Sequence, residues 1–243
     1  MGVRIAAVGD IHLGIDSVGA FRPHLEHIAD EADLLLFAGD YTMWGAAAEA
    51  SVFAGEIRDV PVPMIGVLGN HDFHSDEEPL IVEVLQKAGM TVLECQTTAV
   101  GLEDATVGIA GAKGFGGGFL GAGAANFGEP EMKAFVRHTK DIAERFEAAL
   151  GSLESDIKIA LLHYSPVEGT LEGERREIFA FLGSYLLAQA IDHVGADLVI
   201  HGHAHVGTFR SETPGGIPVY NVAQPLIGSA FHVFELPQPA RVH

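Results

Sequence analysis

Short apolar runs alternate with longer segments of helical character along the first ninety residues. Each run is bounded by glycine and polar residues, a pattern typical of buried strands. Strands are predicted over Val3–Val8, Asp33–Phe37 and Val62–Leu68, with helices near Gly19–Glu31, Ala46–Arg58 and Glu77–Ala88. This alternation predicts parallel strands joined by crossover helices.

The pattern changes after residue 90, where short β-like runs follow one another and predict a meander. These runs are Met90–Leu93, Thr98–Gly101 and Ala105–Ala110. A long helix is predicted from Glu129-Pro130 to about Leu150, with proline in its first turn. A further helix is predicted over Glu174–Ile191, with Gly195 as its stop. The remaining predicted strands are Ile157–Leu162, Asp197–His201, Thr208–Ser211, Ile217–Val222 and Ala230–Leu236.

Together these elements predict an α/β protein with two sheets. The C-terminal strands and the meander are expected to form the second sheet. Packing the two sheets together, with helices outside each, would accommodate an apolar content of 48%. No linker divides the 243 residues, so one domain over residues 1–243 is predicted.

Composition narrows the classes of partner. The chain has 14 Lys and Arg against 33 Asp and Glu, a net charge of −19, which argues against a nucleic-acid polymer as partner. The single cysteine, Cys95, excludes an internal disulfide and a cysteine-based metal site. No signal pattern or membrane-length apolar run is present, so a cytoplasmic protein without a membrane partner is expected. The oligomeric state stays open.

Polar motifs with metal-binding residue types follow most of the predicted strands. They are Asp10-Ile11-His12, Gly39-Asp40, Gly69-Asn70-His71-Asp72, His163 and Gly202-His203-Ala204-His205. Side chains at the carboxyl ends of strands can converge on one crevice. Oxygen and imidazole ligands without thiolate favour Mn, Fe or Zn over Ca. The sequence therefore predicts a hydrolytic site with two divalent metal ions.

The spacing within the motifs suggests individual roles. Asp10 and His12 lie two residues apart, on one side of an extended segment, and Asp40 has two oxygens that could bridge two ions. Two ions about 3.5–4 Å apart would clamp the attacking and leaving oxygens and acidify a bound water. His71 would protonate the leaving oxygen, and Asp72 would orient its imidazole.

Other segments allow more than one interpretation. Gly116 to Gly121 fits G-x-G-x-x-G, but a dinucleotide site needs a helix opening there, and the next helix waits until Glu129. The segment 111–128 is therefore predicted to be a mobile loop, either a lid or inert, with Lys113 as its basic group. Tyr41, Trp44 and Tyr164 could stack on a substrate or pack, and packing is favoured for Trp44.

The order of these motifs resembles that of the calcineurin-like metallophosphoesterases, and especially their compact prokaryotic members. The likeness spans Asp10 to His205, and every signature position is filled. It implies a four-layer α/β/β/α sandwich with two mixed sheets and a dinuclear site at the strand carboxyl ends. It also makes His71 the leaving-group acid. The implied ligands are Asp10, His12, Asp40 and His205 for one ion, and Asp40, Asn70, His163 and His203 for the other.

The resemblance also bears on the substrate. Ser/Thr protein phosphatases of the family hold a phosphomonoester with arginines near the metals, and the segments flanking these motifs carry none. DNA-repair nucleases of the family add a domain for which this chain has no room. The prediction is therefore hydrolysis of a small phosphodiester or nucleotide by a hydroxide that bridges the metals. The alternatives are a phosphomonoesterase or protein phosphatase, and a non-catalytic binding scaffold of the same fold.

Overall fold

The computed structural model describes residues 2–103 and 105–237. Its strands are β1 (Val3–Val8), β2 (Leu34–Phe37), β3 (Met64–Gly66), β4 (Met90–Val92), β5 (Gln96–Gly101), β6 (Thr106–Ala112), β7 (Gly118–Phe119), β8 (Ala122–Gly123), β9 (Ile157–Leu162), β10 (Leu198–His201), β11 (Arg210–Glu212), β12 (Pro218–Asn221) and β13 (His232–Leu236). Its α-helices are α1 (Ile28–Glu31), α2 (Ala47–Ile57), α3 (Glu78–Lys87), α4 (Pro130–Gly151), α5 (Phe179–Leu182), α6 (Tyr185–Val194) and α7 (Gln224–Ile227). Short 3-10 helices cover Arg22–Leu25, His71–Phe73, Glu168–Leu171 and Arg176–Ile178.

Two large mixed sheets form the centre of the protein. The first has the order β13-β1-β2-β3-β4, with β1 to β4 parallel and β13 antiparallel to β1, so that Ile5 lies opposite Phe234. The second has the order β11-β12-β10-β9-β6-β5, with four parallel central strands and antiparallel strands at both edges. Consequently the carboxyl ends of β1, β2 and β3 lie at one edge of their sheet, and those of β9 and β10 at one edge of theirs.

Alternating side chains assign the strands to four layers. Ile5 and Leu36 of the first sheet and Ile109 and Ile159 of the second belong to one apolar cluster between the sheets. The intervening residues of the first sheet pack against helices α2 and α3, for example Phe37 near Phe53. Those of the second sheet pack against α4 and α6. This arrangement confirms the predicted α/β/β/α sandwich with two mixed sheets.

Two strands lie elsewhere than the sequence predicts. Met90–Val92 is not part of a meander but the fourth parallel strand of the first sheet, so only β5 and β6 pair as antiparallel neighbours there. The last strand, His232–Leu236, joins the first sheet rather than the second. The alternation of apolar residues predicts which face of a strand is buried, but not which strand pairs with it. Both sheets bury one face against the same core, so a strand of either sheet shows the same alternation.

The predicted helices 46–58, 77–88 and 129–150 are confirmed within two residues, whereas two others differ. The segment 19–31 is helical only over Arg22–Leu25 and α1. The helix predicted over 174–191 is interrupted before α6, where a Cβ at Gly183 would lie 2.0 Å from the Ser165 carbonyl oxygen. The Ser184 hydroxyl accepts a bond from the Leu186 amide and caps α6, and Gly195 ends that helix at φ +82° as predicted.

The glycine-rich segment forms a small hairpin of β7 and β8. Gly117 N donates to Ala180 O at 2.7 Å, and Gly118 N donates to Gly183 O at 2.9 Å, which anchors the hairpin on the α5 segment. No helix opens on these glycines, because α4 begins at Pro130, and a dinucleotide fingerprint is therefore excluded. Among the helices described, none combines the length and apolar character needed to cross a bilayer.

Candidate metal centre

The predicted ligand residues come from five loops that leave the carboxyl ends of strands in both sheets. Asp10 and His12 follow β1, Asp40 follows β2, and Asn70 follows β3. From the second sheet, one loop after β9 and one after β10 contribute the remaining imidazoles, those of His163, His203 and His205. The structure brings all seven side chains to one place between the sheet edges.

Four of these residues have a left-handed backbone conformation, which residues other than glycine rarely adopt. Asp10, His12, Asp40 and His203 have φ values of 60°, 50°, 56° and 70°. Left-handed conformations are uncommon outside glycine and concentrate at functional sites, where the surrounding structure enforces them. All four residues lie in loops that leave the carboxyl ends of strands.

Glycines in the motifs make room for the two carboxylates. A Cβ at Gly69 would lie 2.0 Å from Asp40 Oδ1, and a Cβ at Gly202 would lie 2.3 Å from Asp10 Oδ2. No side chain fits at either position without moving the carboxylate. Close approach to a carboxylate thus explains Gly69 of the third motif and Gly202 of the last motif.

One group of potential ligand atoms comprises Asp10, His12 and His205. His205 Nε2 lies 3.0 Å from Asp10 Oδ1 and 3.4 Å from His12 Nε2. The backbone amide of His203 donates to both oxygens of Asp10, at 3.0 and 2.9 Å, which fixes that carboxylate. The three nitrogen and oxygen atoms lie within reach of a single ion.

A second group comprises Asn70, His163 and His203. His163 Nε2 lies 2.8 Å from Asn70 Oδ1, while its Nδ1 lies 2.8 Å from the Ala38 carbonyl oxygen. That carbonyl fixes the ring with Nδ1 as donor and leaves the Nε2 lone pair towards the site. The rings of His163 and His203 lie 4.8 Å apart.

Asp40 lies between the two groups. Its Oδ2 is 3.7 Å from His12 Nε2 and 3.5 Å from His163 Nε2. Its Oδ1 accepts the His71 backbone amide at 2.8 Å, so that Oδ2 alone faces the imidazoles. Burial, together with the nearby carboxylates of Asp10 and Asp72, raises the pKa of Asp40 well above its usual value. A divalent cation at this point would offset that cost of burying negative charge.

The imidazoles of His163 and His203 are suited to bind metal because burial favours their neutral form. Burial lowers the pKa of His163 well below its usual value and that of His203 to about 3. Neutral imidazole is the form that ligates a metal. The set of carboxylate, amide and imidazole donors therefore fits two divalent ions that share Asp40.

His71 lies beside this centre. A ring nitrogen of His71 groups with atoms of His12 and Asp40 within 4.8 Å, and the His71 and His12 rings are 4.5 Å apart. Its Nδ1 lies 2.8 Å from the Met43 carbonyl oxygen and donates to it, which leaves Nε2 to exchange a proton.

The expected role of Asp72 needs correction. Its carboxylate is buried, and one oxygen accepts from the amides of Asp40 and Gly69, while the other accepts from the amide and hydroxyl of Thr42 and the amide of Tyr41. In the part of the chain that the structure describes, the hydrogen bonds of Asp72 therefore connect the loop after β2 to the loop after β3. The Met43 carbonyl orients the His71 ring instead, a backbone contact with no signature in side-chain identity.

The aromatic neighbours of the ligands divide into two kinds. Tyr41 is fully buried, and its hydroxyl donates to the Val67 carbonyl at 2.5 Å, so it packs. Tyr164 is buried against the His203 ring, at 4.4 Å. Trp44 is 57% exposed beside His74, which makes the predicted packing role wrong.

Two buried groups near the centre were less visible in the sequence. The Lys113 ammonium lies 4.9–5.2 Å from the ring centres of Phe73, Phe115 and Tyr164, and burial lowers its pKa. His201 is buried, with Nδ1 2.7 Å from the Gly202 carbonyl oxygen, and supports the loop that carries His203.

Cys95 is half-buried, and burial raises its pKa to about 12, which agrees with a packing role.

Comparison with known proteins gives one family. The model of the calcineurin-like phosphoesterases matches residues 3–207. No curated protein matches the chain at a significant level.

Several solved structures share the fold. A phosphopantetheinyl hydrolase from Mycobacterium tuberculosis aligns with a TM-score of 0.70 at 15% identity, over 98% of this chain and 97% of that chain. A putative 5'-nucleotidase from Staphylococcus aureus aligns with a TM-score of 0.58 at 15% identity. The alignment covers 91% of this chain and 48% of that chain. The TT1561 protein of Thermus thermophilus aligns with a TM-score of 0.54 at 17% identity. The alignment covers 98% of this chain and 100% of that chain. At these identities the likeness is one of fold.

Proposed function

The chain belongs to the calcineurin-like phosphoesterase family, and from this premise we propose that it hydrolyses a small phosphate ester at the candidate metal centre. A phosphodiester or nucleotide is favoured over a phosphomonoester on a protein. The similar structures include proteins named as a phosphopantetheinyl hydrolase and a putative 5'-nucleotidase, and both names agree with phosphate-ester chemistry.

The position of Asp40 carries this proposal. One carboxylate oxygen lies within 3.7 Å of an imidazole from each ligand group, whereas the other oxygen is held by a backbone amide. An arrangement in which one oxygen serves two groups is what a pair of divalent ions requires. A single structural ion would need only one of the groups.

Two divalent ions of Mn, Fe or Zn, when bound, would acidify a water molecule and neutralise charge on the phosphoryl oxygens. Asp10, His12, Asp40 and His205 would hold one ion, and Asp40, Asn70, His163 and His203 the other. His71 would hold a proton on Nε2 and deliver it to the leaving oxygen, while the Met43 carbonyl keeps the ring oriented through Nδ1.

The scarcity of cations favours a diester over a monoester. A bound monoester carries a second negative charge, which arginines near the metals normally neutralise. The ligand loops 9–18, 38–45, 67–75, 163–166 and 202–206 contain neither arginine nor lysine. Lys113 is close but buried among aromatic rings.

The test is a paired assay of the protein reloaded with Mn²⁺, using a chromogenic phosphodiester and the matching phosphomonoester. We expect faster turnover of the diester, with both activities lost in Asp40→Asn. A preference for the monoester would contradict the proposed substrate class. Absence of turnover with two ions bound would favour the scaffold alternative.

Replacing His71 tests the proposed acid. His71→Gln should lower kcat by about 10²–10⁴-fold for an ester with a poorly acidic leaving group, since general-acid catalysis contributes that much. The loss should be much smaller for a p-nitrophenyl ester, whose leaving group needs no proton. His74→Gln, at an exposed histidine nearby, is the matched control. An equal loss of kcat for both esters in His71→Gln would exclude the acid role.

A further inference from the structure

Large apolar side chains are exposed around the metal centre. We call Ile15, Met43, Trp44, Phe181 and Val206 the apolar rim. Their side chains are between 41% and 64% exposed. Single exposed apolar residues are ordinary on protein surfaces, whereas several of them around one site are a sign of binding.

Each member of the apolar rim is attached to the metal centre through its backbone. Ile15 follows His12 by three residues and Val206 directly follows His205. The Met43 carbonyl accepts from His71, and the Phe181 carbonyl lies 3.3 Å from His203 Nε2. The backbone of the apolar rim is therefore continuous with the ligand loops or in contact with the histidine rings that they carry.

Trp44 and Met43 lie on the side of the proposed acid. Ser75, four residues after His71, donates from its hydroxyl to the Trp44 carbonyl at 2.6 Å. Because His71 would protonate the leaving oxygen, the group attached to that oxygen would lie towards these two residues. An apolar or aromatic leaving group would bury surface there that is otherwise exposed to water.

The charges near the apolar rim disfavour a strongly anionic substrate. The ligand loops carry no lysine or arginine, Glu174 accepts the Val206 amide at 2.8 Å, and the whole chain has a net charge of −19. A substrate with additional phosphates or carboxylates would meet no lysine or arginine of these loops, and Lys113 is buried among aromatic rings. An uncharged alkyl or aryl group meets no such penalty.

We propose that the substrate is an amphiphilic phosphoester, whose phosphate binds at the metal centre and whose long alkyl chain lies on the apolar rim. This inference rests on the proposed function and specifies the substrate class of the same site. It gives the exposed position of Trp44 a role that packing does not.

Trp44 is also the only tryptophan of the chain, so its fluorescence reports on the apolar rim directly. The protein loaded with Mn²⁺ is titrated with n-alkylphosphonates of four, six and eight carbons, below the concentrations at which they form micelles. We expect a blue shift of the Trp44 emission and a Kd that falls about twofold to fourfold per methylene, the upper value being that of a fully buried methylene.

Variants assign the chain-length effect to the apolar rim. The double variant Phe181→Ser/Val206→Ser and, separately, Ile15→Ser should flatten the dependence of Kd on chain length. Leu120→Ser is the matched control, because Leu120 is also a large exposed apolar residue, on the β7–β8 hairpin, and lines a different cavity with Tyr185 and Asp192. It should leave the dependence unchanged.

The two proposals can fail separately. A Kd that does not change between four and eight carbons would overturn the amphiphile proposal, even if a methyl p-nitrophenyl phosphodiester is hydrolysed. Chain-length-dependent binding without hydrolysis of any ester would support the amphiphilic ligand and contradict the enzymatic function. An equal loss of the dependence in Leu120→Ser would also overturn the role of the apolar rim.

Discussion

Asp72 shows how a residue beside the metal ligands can act on them through the backbone. Its two oxygens accept five hydrogen bonds from the loops after β2 and β3, and the Asp40 amide is one of the donors. The carboxylate thus holds the turn that aims Asp40 at the imidazoles. Burial raises its pKa to about 6 despite these bonds, because desolvation disfavours the charged form.

Asp72→Asn should lower the free energy of unfolding by about 2–4 kcal/mol. Every orientation of the amide would direct its NH₂ group at backbone N–H donors, because both oxygens of Asp72 accept from amides. Chemical denaturation monitored by circular dichroism measures the change. The exposed Asp76→Asn removes the same charge nearby, and an equal loss in that variant would refute the structural role of Asp72.

The convergence of the candidate metal ligands could be predicted from sequence, whereas the groups that support them could not. Asp10, Asp40 and His163 each follow a strand-like apolar run, so their convergence follows from sheet geometry. The partners of Asp72 and His71 are backbone groups of the loop after β2. Backbone partners depend on the path of a loop, which side-chain identities do not reveal.

At the scale of elements, α2 stabilises the loop that follows the first ligands. Glu56 near the end of this helix accepts the amides of Gly19, Phe21 and Arg22 at 2.6, 2.8 and 2.7 Å. Burial opposes ionisation of Glu56, but these donors prevail and its pKa is lowered. The segment predicted as a helix over 19–31 is therefore held in part by an external carboxylate.

Glu56→Gln should reduce stability by about 2–3 kcal/mol at neutral pH, because bonds to a charged acceptor are lost. For a lowered pKa, this contribution is complete above the ordinary value of 4.5 and disappears as the pH falls through the folded-state pKa. The difference between wild type and variant should consequently shrink below about pH 4.5. Urea unfolding between pH 3 and 7 measures it, with Glu144→Gln on the exposed face of α4 as control; a constant difference would contradict the prediction.

Element types were more predictable than element partners. Most strands and the helices α2, α3 and α4 follow directly from apolar periodicity. The sheet assignments of β4 and β13 did not follow, because periodicity identifies the residues that a strand buries and not the strands beside it: Phe234 of β13 packs in the core between the sheets, whereas Met90 of β4 packs with the outer helices of the first sheet. The interruption before α6 depends on the approach of Gly183 to Ser165, a contact between segments eighteen residues apart in sequence.

At the scale of the whole molecule, the candidate metal centre lies between the two sheets and takes residues from both. Asp10 and Asp40 come from the first sheet, and His163 and His205 from the second. His205 contacts Asp10, and His163 contacts Asp40, across that junction. Metal binding should therefore stabilise the packing of one half of the protein on the other.

Removal of metal should lower global stability. Each ion at a hundred times its Kd adds about 2.7 kcal/mol to the free energy of unfolding. The midpoint of urea unfolding should thus be lower with a chelator than with Mn²⁺, in one transition for both halves. Asp40→Asn should show a much smaller difference, and an unchanged midpoint in the wild type would contradict a centre built from both sheets.

The most direct test of the two-ion hydrolytic centre is the rate of phosphodiester hydrolysis as Mn²⁺ is added to the metal-free protein. If Asp40 bridges two ions that act together, the rate stays low up to one ion per chain and reaches its plateau at two. Asp40→Asn has no such plateau. A plateau at one ion per chain, or a rate independent of metal, would contradict the account.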